Sequence, residues 1–139
     1  MAETWTADSW LYGVLAGDTQ LMTLATGGVY GHNNPIRPTF PYILFQLQAA
    51  AADVMGVGPA RIMTPLLYLV RGINEGNTFG GNLKSIADRI DALLQANHGT
   101  VTGGVVVGCV RERPFVLPEV AGDGRQFRHM GGLYRIWVQ

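Results

Sequence analysis

FGGNLKSIADRIDALLQANHG, residues 79–99, carries the clearest single-element signal in the chain. Leu83, Ile86, Ala87, Ile90, Leu93 and Leu94 recur at the three- and four-residue steps of one helical face. Lys84, Ser85, Asp88, Arg89, Asp91 and Gln95 fall on the other side. Asn82 is the expected N-cap, because its side chain can accept from a backbone N–H that the first turn leaves unpaired. Gly80 and Gly81 give the chain freedom where the helix starts. Asn97 and His98 predict the stop, with Gly99 taking the left-handed conformation. The result is an amphipathic helix of about four turns. Its apolar face needs a surface to lie on, and strand-like segments on both sides can supply one.

Immediately upstream, RIMTPLLYLVR (residues 61–71) predicts a strand. Residues 66–70 are apolar on both faces, so both faces are expected to be covered, by the chain's own helices or by another subunit. Pro65 cannot donate to a ladder, which predicts an edge position there, or a bulge. YILFQLQ (42–48) alternates, with Ile43, Phe45 and Leu47 on one face and Tyr42, Leu44, Gln46 and Gln48 on the other. Residues 49–60 read as the flexible turn of a hairpin; alanine's helix preference leaves a helical turn over 49–55 as the alternative. Residues 29–41, VYGHNNPIRPTFP, carry three prolines and predict an irregular connector, of a kind often functional or packed on a neighbour.

At the N-terminus, Thr4 or Thr6 is the expected cap of a first helix with the stripe Trp10, Leu11, Val14 and Leu15. Asp18 then caps a short second helix carrying Leu21, Met22 and Leu24. Beyond the central helix, VVVGCVRER (105–113) predicts a strand, and Pro114 and Pro118 predict a break after it. AGDG (121–124) signals a turn, and QFRHMGGLYRIWV (126–138) a final strand with a bulge or bend at Gly131 and Gly132. Helix, hairpin, helix, hairpin describes a single α+β domain over residues 1–139. The expectation is a sheet of about four strands, mainly antiparallel, with two main helices packed on one face. The strands flanking the central helix would add one parallel contact if they are neighbours.

Only 14% of the 139 residues are charged and the formal net charge is zero, against about a quarter charged in ordinary domains. Both features favour association, so much of the surface is expected to be covered by neighbouring subunits. One lysine stands against nine arginines, and arginine is the cation that interfaces prefer. Balanced charge argues against a dedicated nucleic-acid binder. A basic N-terminal leader is not recognisable, and no apolar run is long enough to span a membrane, so a soluble protein of a reducing cytoplasm is expected.

Chemistry is harder to find. Cys109 could be paired with His98 or His129, but a thiol in the valine-rich run VVVGCV is expected to be a small buried hydrophobe. His32, His98 and His129 are too scattered for a metal site. Asp88 and Asp91 lie three apart on the helix's polar side, with Lys84 and Arg89 nearby, and read as solvated or interfacial ion pairs. GGNLKS (80–85) lacks the spacing of a phosphate-binding loop. No catalytic residue, metal or cofactor is expected, and the protein is not expected to be an enzyme.

Four stretches taken together resemble the tail-completion, or tail terminator, proteins of long-tailed bacteriophages. They are WLYGVLAGDTQLMTLATGGVYG (10–31), the proline connector running into PYILFQLQ (41–48), NLKSIADRIDALLQANHG (82–99) and RQFRHMGGLYRIWV (125–138). The sequence departs from that pattern in its Ala49–Ala52 run and its GVGP (56–59), where many relatives carry a shorter, more polar hairpin. The resemblance implies a structural virion protein: a ring, generally of six subunits, at the head-proximal end of the tail tube, assembled in the host cytoplasm. It implies the tail tube protein on one face of the ring, a neck or head-completion protein on the other, and DNA passing through the lumen unbound. A neck or head–tail adaptor ring protein is the neighbouring alternative, and a small ligand-binding or enzymatic α+β domain the alternative from another class. The family offers no residue motif to carry over. From residue chemistry alone, the expected interface positions are Tyr30, Asn34, Arg37 and Phe40 in the connector, and Arg61, Arg71, Arg111 and Arg113 at strand ends.

Overall fold

A computed structural model of the chain describes residues 2–79 and 82–139. Two helices open it, α1 (Ala2–Ala16) and α2 (Thr19–Leu24). Strands β1 (Val29–Gly31), β2 (Tyr42–Ala50), β3 (Val54–Met55) and β4 (Arg61–Glu75) follow. Helix α3 (Asn82–Leu94) leads to β5 (Gly99–Val101), β6 (Gly104–Val120) and β7 (Gln126–Val138). The strands form one curled, mixed, half-barrel-like sheet of seven, in the order β1-β2-β4-β7-β6-β5, with β3 beside one end of β4.

This corrects the expected sheet of about four strands with two helices. The four long strands lie where alternation or apolar runs foretold strands, but β1, β3 and β5 were not foreseen. They are two or three residues long, too short for any periodicity to register. Among the described residues the only parallel ladder is β1 on β2. The strands flanking α3 do not touch, because β7 is inserted between β4 and β6 and pairs antiparallel with both.

Proline and glycine explain several local differences. No break occurs at Pro114 and Pro118, and β6 runs through both. On one side β6 faces β5 and then, at Cys109 and Arg111, the turn after α3; beyond Arg111 its ladder is with β7, so a residue without an N–H fits at its open edge. Pro65 lies in an interior strand, but its carbonyl bonds the Ala51 N–H at 3.1 Å, just past the end of β2. The side of Pro65 that lacks a donor therefore faces chain that has left the ladder. Bulges fall on β6, between Val106 and Gly108 and between Arg111 and Arg113, rather than at Gly131 and Gly132. A Cβ on Gly131 would stand 2.0 Å from the Val70 carbonyl oxygen, so this glycine permits close approach of β7 to β4.

All three helices cover one face of the sheet. Ile43 and Phe45 of β2, Leu66, Tyr68 and Val70 of β4, and Tyr134, Ile136 and Val138 of β7 meet Ile86, Ile90 and Leu94 of α3 and Leu11 and Leu15 of α1 in one core. The expected apolar face of α3 is therefore the buried one. Asn82 is the first residue inside α3 rather than its cap, and the start-of-helix role foreseen for Gly80 and Gly81 lies outside the described residues. At the other end Ala96, not Gly99, takes the left-handed conformation, and Gly99 begins β5. Thr4 and Thr6 lie inside α1 rather than capping it. Asp18 does cap α2, accepting from the Leu21 N–H at 2.9 Å, and Arg89 of α3 grips the same carboxylate at 2.7 and 2.9 Å. Those charge-assisted bonds hold the Asp18 carboxyl below its usual range, the Arg89 bond first, and tie α2 to α3.

Two core tyrosines show how the helices are oriented on the sheet. Tyr68 and Tyr134 face each other across β4 and β7, and both rings are fully buried. A buried phenol needs a partner. Tyr68 donates to Asp8 of α1 at 2.6 Å, and Tyr134 donates to Asp91 of α3 at 3.0 Å. Burial, followed by the neighbouring carboxylate, pushes both phenols above their ordinary range. Asp91 is thus a structural acceptor as well as a surface charge, whereas Asp88 makes the exposed pair with Lys84 that its spacing implied.

Candidate functional site

Among the described residues no helix covers the second face of the sheet. Its alternate residues on β2 and β4 include Tyr42, Leu44 and Ile73, buried under Tyr30 and Phe40 of the proline-bearing connector. Beside this small cluster opens a cleft of about 360 Å³, lined by the connector, β4, the end of β6 and the start of β7. Three expected interface residues meet there: Asn34, Phe40 and Arg71. Asn34 accepts from the Tyr42 hydroxyl at 2.9 Å, and Phe40 packs against Tyr42 and Phe127 with ring centroids 5.5 and 5.6 Å away. Tyr30 adjoins the cleft through an edge-on contact with Tyr42 at 5.9 Å.

At the centre of the cleft lies a chain of polar groups running across three strands. Arg71 of β4 donates from Nε to His129 Nδ1 of β7 at 3.0 Å. His129 Nε2 in turn lies 3.2 Å from Glu119 Oε1 of β6. An arginine can only donate, so Nδ1 must be the acceptor, Nε2 carries the proton and the ring is neutral. Burial is the main reason why the imidazole is held below its ordinary range; the hydrogen bond with Glu119 comes next and pulls the other way, and the Arg71 charge adds to the lowering. Burial also lowers Arg71, whose guanidinium lies over the Phe115 ring at 5.9 Å.

A pH dependence follows from this wiring. Below about pH 6.5, the value of an unperturbed histidine, the unfolded chain takes up a proton that folded His129 resists. Stability should therefore fall as the pH drops from there toward the lower folded value, and this contribution levels off below it. His129→Gln offers an acceptor to Arg71 and a donor to Glu119 without titrating. Urea midpoints at pH 7.5 and 5.5 should drop more for the natural protein than for the variant, and equal drops would remove His129 from the acid response.

The remaining expected positions are elsewhere. Arg61 is at the far end of β4, paired with Glu3 at 2.9 Å and with Asp53 at 3.4 Å. Arg111 is on the helix side of β6, where its backbone N–H donates to Gln95 and its side chain is 3.7 Å from Asp91. Arg113 and Arg37 are exposed and make no side-chain bond among the described residues. His129, Glu119, Phe115 and Phe127 were not among the expected site residues. Phe127 and His129 share one face by simple alternation in the last strand, but their partners on β6 become visible only once the register of β6 on β7 is known.

Cys109 and His129 cannot act together. Cys109 is in the core on the helix side, its thiol pushed up to about 12 by burial, while His129 faces the uncovered side. Among the described residues no three His, Cys, Asp or Glu side chains converge as metal ligands, and no helix is long and apolar enough to cross a membrane.

The surface also carries a free edge, the part of β6 beyond Arg111. β6 is 17 residues long, and Val107, Val110, Val116, Leu117 and Val120 along it are exposed. The arm formed by β3 and the start of β4 exposes Val54, Met55, Val57 and Ile62. Long apolar edges are normally blunted or covered. Only Pro114, Pro118 and nearby charges blunt this one.

The architecture is a curled mixed sheet covered by helices on one face, with an edge left unpaired along β6 beyond Arg111. No protein-family model matches the sequence, and no curated protein matches it. The fold is shared with a chain in the virion of a native gene transfer agent particle, at a TM-score of 0.67 and 17% identity, over 98% of this chain and 96% of that one. At that identity the likeness is one of backbone architecture.

Proposed function

We propose that this chain is a structural component of a phage-like virion. The observation that carries the reading is the match of architecture over 98% of the chain to a chain of a gene transfer agent virion. The sparse charge, the zero net charge and the uncovered apolar edge of β6 agree with a surface made to be covered by other subunits.

More finely, we propose a ring, generally of six subunits, that terminates the tail tube at its head-proximal end and joins it to the neck. Such a ring needs a heterologous contact, in which one patch of a subunit meets a different patch of the next. The β6 edge is well placed for one side of that contact. Its role would be mechanical, with the tail tube protein on one face, the neck or head-completion protein on the other, and DNA passing through.

Light scattering with negative-stain images, on the protein alone and mixed with purified tail tubes, tests this. A ring, or a monomer that caps tubes at one end, is the expected result; a monomer that never associates with tubes overturns it. Arg111→Glu with Arg113→Glu reverses two charges along β6. The double variant should melt like the natural protein but assemble at least tenfold less well, and unchanged assembly would take this stretch out of the interface.

A further inference from the structure

We propose that the cleft on the uncovered face is a binding site for a carboxylate, offered by an acidic side chain next to an aromatic or branched aliphatic one on a partner protein. Arg71 is the residue that takes it. The inference goes beyond the assembly reading and does not depend on it.

The first argument is an unanswered charge. The Arg71 guanidinium is half-buried, yet its one hydrogen-bond partner is the neutral ring of His129. Among the described residues neither Nη group has an acceptor within reach. Charges taken out of water are ordinarily paired with an opposite charge. Arg89, by contrast, is held by both oxygens of Asp18. Glu119 acts on Arg71 by its charge, but its hydrogen bond goes to the imidazole and not to the guanidinium.

The second argument is preorganisation. Nε is tied to His129, which is itself held by Glu119, and the guanidinium lies over Phe115. The two Nη groups are left as a planar fork of fixed direction, which matches the two oxygens of a carboxylate. Little rotamer freedom remains to be lost on binding.

The third argument is the wall. Phe40, Phe127 and Ile73 line the cleft beside the fork, and Ile36 is 97% exposed at its rim. An apolar cleft with a few fixed polar groups is the usual form of a recognition site, and about 360 Å³ admits two side chains. A phosphate backbone fits less well. Arg125, which also lines the cleft, is already paired with Asp123 at 2.8 Å, so it is not free for a second anionic group. A basic surplus, which nucleic-acid surfaces use, is missing.

The test uses the whole protein, labelled with ¹⁵N, and follows the Arg71 Nε–H signal and the backbone amides around the cleft. N-acetyl-glutamyl-phenylalanine amide should shift them saturably. The glutaminyl analogue, which has the same shape without the charge, should bind about tenfold more weakly. Arg71→Gln should abolish the response, with a thermal melt confirming that the variant is folded; the comparison of the two peptides on the natural protein needs no variant. No saturable shift with the glutamyl peptide overturns the proposal, and so does equal binding of its glutaminyl analogue. Inorganic phosphate shifting the same signals as strongly would also overturn it, by assigning the fork to phosphate. None of these results bears on whether the protein forms a ring.

Discussion

Ile90→Asp is expected to leave no cooperatively folded protein. Ile90 is fully buried in the middle of α3 and belongs to the core shared with β2, β4 and β7. Removing its side chain alone would cost about 2–5 kcal/mol. A carboxylate in its place has no cation within that core, and the penalty for burying it unpaired is several kcal/mol more. Together these match the ~5–15 kcal/mol by which ordinary domains are stable. Ile90→Val, which removes one methyl group, should cost only about 1 kcal/mol and melt normally. Thermal and urea unfolding followed by circular dichroism would compare them. A normal transition for Ile90→Asp would mean that α3 turns a different face to the sheet.

Gly131→Ala is the second substitution from which a large effect is expected. One added methyl group would meet backbone rather than a side chain, with the Val70 carbonyl oxygen 2.0 Å away and Arg71 Cα 2.6 Å away. Side chains can rotate aside, but two paired strands can yield only by separating. Relief would thus stretch the β4–β7 ladder at its middle, beside Arg71 and His129. The expected cost is about 3 kcal/mol, the upper end for overpacking, and the cleft should lose its shape as well. Gly122→Ala, in the turn between β6 and β7, meets nothing within 4 Å and serves as the control. If both variants unfold at the same urea concentration, the close approach of β7 to β4 is not real.

What could be read from the chain without its fold was local. The helical face of residues 83–94 repeats within the helix itself, so three- and four-residue spacing was enough to identify the buried side. Alternation in residues 42–48 separated Ile43 and Phe45 from Tyr42 and Leu44 in the same way. Asp18 was recognisable as a cap because its partner, the Leu21 N–H, is three residues on. The last strand runs from Gln126 to Val138 because a turn signal precedes it and apolar residues on both faces sustain it.

The strand order, the three short strands and the cleft depended on contacts between distant residues. Every residue type offers a backbone carbonyl for pairing between strands, and all but proline an N–H, so composition says little about which strands pair or in what register. Pro114 and Pro118 looked like breaks because a proline disrupts a ladder on its N–H side, and only the arrangement of the sheet shows that β6 has a side with no ladder to disrupt. Arg71, Glu119 and His129 form one chain of bonds only because β7 pairs with both β4 and β6. The sequence therefore determined which faces of its segments are apolar, through side-chain periodicity within each segment. The tertiary structure alone decided which uncovered groups share a surface, because that depends on the pairing of strands far apart in the chain.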